Sequence, residues 1–424
     1  MNRSHMNPSQ LTRRRLLAAA LASGALLPAA RLSFGATGTG NGMGNGIGQG
    51  GDARLVLMIL RGGLDGLGAV PAPGDPAFAA ARGALATFAE PALPLSGPFA
   101  LHPSLTNLHA MFGAGEMSVL HAVGLPYKER SHFEAQQLLE SGGQRPHEIT
   151  TGWLGRSLGV SHGKGIALQA AVPLVLRGPA TVDTWAPSVL PEPAPDLVAR
   201  LMQLYQSDAD LARALERAQA LRADGMPMAA LNGAGMAAVG TNPGALPGPA
   251  RPGLVITLAR QAAEFLAKPG GAQVAVLEMG GWDTHANQSA PQGALANNLR
   301  QLDAALAALR DSLVSSGRWA RTAVLVCTEF GRQVEVNGTQ GTDHGSGGAA
   351  FVLGGAVAGG KVLADWPGLA AKDRFEGRDL RITTDLRSAF RTLLIDHLQL
   401  PRSMVDRDAL PGSSGLAILD FLRG

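Results

Sequence analysis

The chain has 424 residues, 46% of them apolar and 16% charged, which is enough to bury a large core and too apolar for a disordered chain. Its formal net charge of +3 is unevenly placed. Residues 1–36 hold Arg3, Arg13, Arg14, Arg15 and Arg31 and no acid, so the remainder has 31 basic against 33 acidic residues. A chain so balanced lacks the clustered Lys and Arg that neutralise phosphates, which excludes nucleic acid as a partner.

The first 36 residues combine a polar start, an arginine cluster and an apolar run from Leu16 to Ala30 that is mostly alanine and short for a bilayer span. They read as an export signal. Thr12-Arg13-Arg14-Arg15-Leu16-Leu17 resembles the twin-arginine (Tat) pattern, whose pathway carries proteins already folded. The Tat export machinery is therefore an expected partner, the periplasm or exterior the expected location, and no stable membrane anchor is expected after cleavage. Residues 37–52, with glycine at alternate positions, read as a flexible linker to a folded part over 53–424.

The folded part opens with "RLVLMILRGG" (54–63), a continuous apolar run ended by glycines, as a strand buried on both faces requires. Similar runs follow at 117–124, 166–178, 273–281, 322–331 and 349–355. Helical periodicity fills 196–222, 253–267, 294–316 and 385–400. Strands alternating with helices of this length predict an α/β fold, a doubly wound, mostly parallel sheet flanked by helices. The one cysteine, Cys327, excludes an internal disulfide and a thiolate cluster, and inside "AVLVCTEF" it reads as a buried thiol.

In such sheets sites form where loops leave the carboxyl ends of the strands. Polar residues gather there: Asp65 in "RGGLDGLG", Asp283 and His285 in "GGWDTHANQ", Glu329 and Arg332 in "TEFGRQ", and Asp343 and His344 in "GTDHGSGG". Each has a plainer reading. Asp65 between glycines suits a turn, Asp283 suits a helix cap, Asp343-His344 suits a cap beside a surface histidine, and Glu329 suits a salt bridge with Arg332 as well as a partner for a ligand histidine. His102 in "ALHPSL" and His132 in "KERSHFEAQ" look like polar residues opening helices. Coincidence of place favours a metal site, and mixed carboxylate and imidazole donors suit a divalent ion, zinc or manganese more than calcium.

Taken together, the leader, "LRGGLDGLGAVPAPGDPAF", "PYKERSHFEAQ", "TGWLGRSLG", "GGWDTHANQ", "TEFGRQVEVNGTQGTDHGSGG" and "VLADWPGL" resemble the exported bacterial family known as domain of unknown function 1501. That family looks like a branch of the alkaline phosphatase-like superfamily, which includes sulfatases. The resemblance implies an alkaline phosphatase-like domain over 53–424 with metal held by Asp65, Asp283, His285, Asp343 and His344. Where relatives place a histidine four residues after the middle aspartate this chain has Asn287, so either His285 or the Asn287 amide fills that place. A further ligand is missing or comes from His132. Relatives carry a hydroxyl or modified cysteine after the first strand, and here none occurs between Asp65 and Thr87. Ser131, beside His132, is the substitute nucleophile; a metal-bound water is the other.

The function these residues imply is exported metal-dependent hydrolysis of phosphate or sulfate esters, of small molecules or glycans, with Arg332 as a fork for the ester oxygens. The alternative is a catalytically inactive exported binding or assembly protein on the same scaffold.

Overall fold

The computed structural model describes residues 52–187, 193–224, 253–288 and 293–424. The export signal at 1–36 and the linker up to residue 51 lie outside the described residues. Asp52, the last residue assigned to the linker, is instead tied to the folded part, its carboxylate accepting from Arg318 at 2.6 Å.

The strands in chain order are β1 (Arg54–Leu60), β2 (Leu93–Pro94), β3 (Ala100–Leu101), β4 (Met117–Gly124), β5 (Gly165–Ala167), β6 (Val182–Thr184), β7 (Val274–Met279), β8 (Thr322–Thr328), β9 (Gly348–Leu353), β10 (Val362–Leu363) and β11 (Thr384–Asp385). The helices used below are α1 (Gly66–Ala69), α2 (Phe78–Arg82), α3 (Thr106–Gly113), α4 (His132–Ser141), α5 (Trp153–Ser161), α6 (Pro195–Tyr205), α7 (Ala209–Asp224), α8 (Leu254–Ala267), α9 (Ala294–Ser315) and α10 (Arg387–Thr392). The main sheet runs β10-β4-β9-β8-β1-β7-β5-β6, with β11 paired to β4.

All seven residues of β1 are buried because it lies mid-sheet, parallel to β7 on one side and β8 on the other. Its side chains alternate between two cores, as the pleat demands. Val56, Met58 and Leu60 join the core covered by α3, α8 and α9, while Leu55, Leu57 and Ile59 join the one covered by α4, α5 and α10. Trp153 of α5 stacks on Phe390 of α10 at 4.5 Å within the second core. The mostly parallel α/β sheet with helices on both faces is thus the architecture expected from the sequence.

Four details depart from that expectation. β9 runs antiparallel to both β8 and β4, so the sheet is mixed there. The apolar run at 166–178 gives only the short β5, and its later part becomes the turn Leu174–Leu176 behind Pro173, whose fixed φ and missing N–H end a ladder. The helical stretch at 196–222 is two helices, because Asp208 Oδ1 accepts from the N–H groups of Asp210 and Leu211 and starts α7 afresh. Last, α10 widens into a π turn over Leu393–His397. Cys327 is buried and free, and burial pushes its thiol well above the ordinary range. Among the described residues no helix is long and apolar enough to cross a membrane.

Candidate metal centre

The loops after β1, β7 and β8 meet at one end of the sheet, with the N-terminus of α4 set against them. Gly62, just past β1, has φ +120, and a Cβ there would stand 2.6 Å from the Asp283 backbone nitrogen, so only glycine lets the β1 and β7 loops touch. After β8 the chain makes a narrow ribbon. Gly345 N–H donates to Gly331 O at 2.9 Å and Gln333 N–H to Asp343 O at 2.9 Å, pairing Arg332 with His344. A Cβ on Gly345 would fall 2.3 Å from the Arg332 carbonyl carbon. The ribbon returns His344 to the strand ends from which the chain departed.

His132, Asp283 and His344 each offer a donor atom within 4.8 Å of the others. His285 flanks them, its Nε2 3.1 Å from His344 Nε2 and 3.0 Å from Asp283 Oδ1. His132 Nε2 lies 3.0 Å from His344 Nε2. Asp283 Oδ1 stands 3.2 Å from His344 Nε2, and its Oδ2 3.6 Å from His132 Nε2.

The opposite nitrogen of every ring faces an acceptor. His132 Nδ1 is 2.8 Å from Glu329 Oε1, His344 Nδ1 is 3.0 Å from the Arg130 carbonyl, and His285 Nδ1 is 3.1 Å from Asp343 Oδ1. A neutral imidazole that donates through Nδ1 keeps a lone pair at Nε2. Three lone pairs and a carboxylate therefore point inward, and acceptors this close repel unless a cation or a proton lies between them. Tetrahedral zinc, with bonds of about 2.0–2.1 Å, holds its ligand atoms about 3.3 Å apart. The spacing and chemistry of this donor set fit a transition metal.

Protonation is the competing way to satisfy the cluster. Burial pushes His132 down, but hydrogen bonds to Asp283 and Glu329 outweigh it and raise it to about 9. Burial favours a neutral Asp283, yet His132, His344 and Arg332 hold its carboxyl far below the usual range. Glu329, wholly buried, is also lowered against the effect of burial, by its bond to His132, and it accepts as well from Gly62 N–H at 2.8 Å and Gln136 at 3.1 Å. Because ligands must shed protons to bind metal, proton and cation exclude one another here.

The expected site residues fall into two groups. Asp283, His285 and His344 are brought together, and His132 stands with them in place of the ligand that was in doubt. Asp65 is not with them. Its carboxylate is buried against the Arg82 guanidinium and the Gln288 amide, because the chain turns at α1 and α2 and folds Arg82 back over it. Asp343 bonds His285 on the far ring nitrogen and is lowered chiefly by its hydrogen bond from Asn337, so it orients a histidine from outside the cluster. Asn287 sits exposed with φ 51, its N–H bonded to the Thr339 carbonyl at 3.1 Å.

Arg332 is fully buried and turned inward, donating to Asp283 Oδ1 at 2.6 Å, Thr342 Oγ1 at 3.1 Å, the Thr342 carbonyl and Gly62 O at 3.4 Å. It balances Asp283 and has no fork left for a substrate, and Glu329 pairs with His132 instead. Ser131 precedes α4 with its hydroxyl against the Tyr127 phenol, which in turn donates to Glu134. Sequence reasoning missed Asn337 and the Arg130 carbonyl. Asn337 also binds the His285 carbonyl, at 2.9 Å, and Arg130 has φ 60, an uncommon conformation outside glycine. A polar ribbon tip hinted at the first, and nothing in the sequence marked the second.

A mixed, mostly parallel α/β sheet with a histidine and aspartate cluster at its strand ends defines the class of protein. Residues 109–411 match the family described as protein of unknown function (DUF1501), and the chain belongs to that family. No curated protein matches the chain. Solved structures similar to it include the zinc complex of the C-terminal periplasmic domain of EptC from Escherichia coli, 10% identical over 87% of this chain and 90% of that one, with a TM-score of 0.43. The phosphonate monoester hydrolase of Agrobacterium radiobacter is 12% identical over 86% and 79%, TM-score 0.40. A sulfatase from Pseudoalteromonas sp. is 14% identical over 84% and 70%, TM-score 0.38. Similarity at this level assigns neither activity nor ligand to the chain.

Proposed function

We propose that the chain is an exported, metal-dependent hydrolase of phosphate or sulfate esters, with a divalent transition metal held by His132, Asp283 and His344 and flanked by His285. The observation that carries this reading is the convergence of three imidazole Nε2 atoms, each backed by an acceptor at Nδ1, on one carboxylate. A divalent ion there would supply Lewis acidity to a phosphoryl or sulfuryl oxygen. Glu329, the Arg130 carbonyl and Asp343 each accept the Nδ1 proton, leaving Nε2 as the nitrogen that would bind metal once any proton on it is shed, and Arg332 offsets the charge of Asp283 on its inner side. With the Ser131 hydroxyl engaged by Tyr127, we assign water as the nucleophile. The arginine-rich leader supports export by the Tat machinery and a periplasmic or secreted location.

The test is metal analysis of the purified chain together with an aryl phosphate and aryl sulfate panel, run on wild type and His344→Ala. A stoichiometric transition metal and ester turnover, both lost in the variant, are expected. Metal-free protein that melts unchanged and ignores added zinc, manganese and calcium would sink the proposal. A second reading, an inactive binding or assembly protein on this scaffold, is favoured by the inward commitment of Arg332; it predicts bound metal with no turnover of any ester.

A further inference from the structure

Beside the Arg82 and Gln288 side chains that hold Asp65 lies a cavity of about 300 Å³ that none of the clustered histidines lines. Its floor is Arg82 and Gln288, each donating to Asp65. Its walls are apolar where Leu85, Phe88 and Leu295 line it. Two donors stand over these walls. His102 Nδ1 accepts the Ser104 N–H at 3.0 Å, so the ring proton must sit on Nε2, for which no acceptor is present among the described residues. The Phe88 edge meets the His102 ring at 5.2 Å and 87°, fixing its direction. Arg300 of α9 reaches across the same turn to Ser104 Oγ at 3.4 Å and to Asn297 Oδ1 at 2.5 Å. Both partners are neutral, and among the described residues no carboxylate pairs with its charge.

We propose that this cavity is a second binding site, taking a small organic monocarboxylate whose carboxylate accepts from His102 Nε2–H and the Arg300 guanidinium while its apolar body rests on Phe88, Leu85 and Leu295. Convergent donors above an apolar slot select an anion with a hydrophobic tail. Glu90 also lines the cavity and repels multiply charged anions, which favours a monocarboxylate over phosphate or sulfate. Burial, aided by the nearby Arg300 charge, pushes His102 down to about 4, so the ring stays a neutral donor through the physiological range. The site does not rest on the hydrolase reading, since none of its donors belongs to the histidine cluster.

Calorimetric titration of the full chain with benzoate and hexanoate, with benzamide as the neutral control, tests the proposal. Saturable benzoate binding is expected, weaker for benzamide, and about tenfold or more weaker in Arg300→Met and in His102→Phe, the scale of one charge-assisted hydrogen bond. Arg300 is exposed on its helix, so Arg300→Met reports on binding even if His102→Phe folds poorly. His344→Ala locates the ligand: binding that survives in it supports the cavity. No saturable benzoate binding, equal binding of benzamide, or loss with His344→Ala but not with Arg300→Met would each overturn the assignment.

Discussion

His285 and Asp343 are joined through the ring nitrogen that faces away from the cluster, Nδ1 to Oδ1 at 3.1 Å. The carboxylate therefore sets the tautomer and direction of the imidazole without touching the point where the three Nε2 atoms meet. Asn keeps an acceptor oxygen in the same place. Asp343→Asn is expected to lower metal affinity by less than about tenfold, whereas Asp343→Ala, which leaves the ring unheld, should cost about 10 to 100-fold. Metal titration of the two variants checks the ordering, and equal large losses would make Asp343 a ligand.

Glu329 does for His132 what Asp343 does for His285, but from a fully buried position with three further donors on it. Glu329→Gln removes the charge that favours an Nδ1–H on His132 and can present an amide N–H in its place, driving the ring proton towards Nε2. An apparent metal affinity about 100-fold weaker is expected, at the upper end for such partners, with His132→Ala, which deletes the donor itself, at least as costly. Affinity indistinguishable from wild type would remove Glu329 from the site.

Asp65 and Arg82 form a buried ion pair that Gln288 completes. Asp65→Asn leaves the Arg82 charge buried without its counterion, which should destabilise the fold by about 3–5 kcal/mol while leaving the metal content of the folded protein unchanged. Chemical denaturation and metal analysis on one preparation separate the two effects. Loss of metal without loss of stability would return Asp65 to the ligand set.

Much of this arrangement is legible in the sequence, and the limits have physical causes. β1 and β8 announce themselves because strands buried on both faces keep charged and hydroxyl residues to their ends, Arg54 in β1 and Thr322 and Thr328 in β8. The sense of β9 is not legible, since a buried strand has the same composition whichever way it points. Asp283 and His285 follow the end of β7 closely, so place alone singles them out, whereas His344 comes after the ribbon, just ahead of β9. Asp65 follows a strand end equally closely, yet its role is decided by Arg82, whose return over it depends on tertiary packing. His132 looks like a helix opener because it is one, and only the approach of α4 to the β8 loop turns it inward.

Stability should fall with acidification through a group remote from the cluster. His121 on β4 is fully buried, its Nδ1 accepting the Ala122 N–H at 2.8 Å and its Nε2 against the Val70 carbonyl at 2.9 Å, with Phe99 stacked at 5.1 Å. Burial lowers it to about 4, partly opposed by the Val70 bond. The unfolded chain, with a pKa of about 6.5, binds more protons between those values, so the contribution is complete above about 6.5 and is lost as pH falls towards 4. The loss from His121 alone is about 3 kcal/mol. Unfolding free energy measured across this pH range should fall more steeply for wild type than for His121→Phe, and parallel slopes against pH would contradict the assignment.

Export is tested at the leader. Replacing Arg13, Arg14 and Arg15 by lysine keeps the charge and removes the guanidinium groups that twin-arginine receptors read. The precursor should then accumulate in the cytoplasm, visible by fractionation. Unchanged export would move the leader to the general secretory route.

The ribbon after β8 holds two of the three histidines, His344 and His285, by different parts of itself. Its stem, residues 331–333 against 343–346, carries His344, while its tip grips the carbonyl of His285 through Asn337 at 2.9 Å and Thr339 at 2.6 Å. Their loss can therefore be separated. A circular permutation that opened new termini at the tip would leave the stem hydrogen bonds intact and keep His344 in place, yet it would release His285 from its backbone anchors. The same cut by a protease would loosen His285 alone, its ring then held only by Asp343 of the stem, and would leave His132, Asp283 and His344 as they stand.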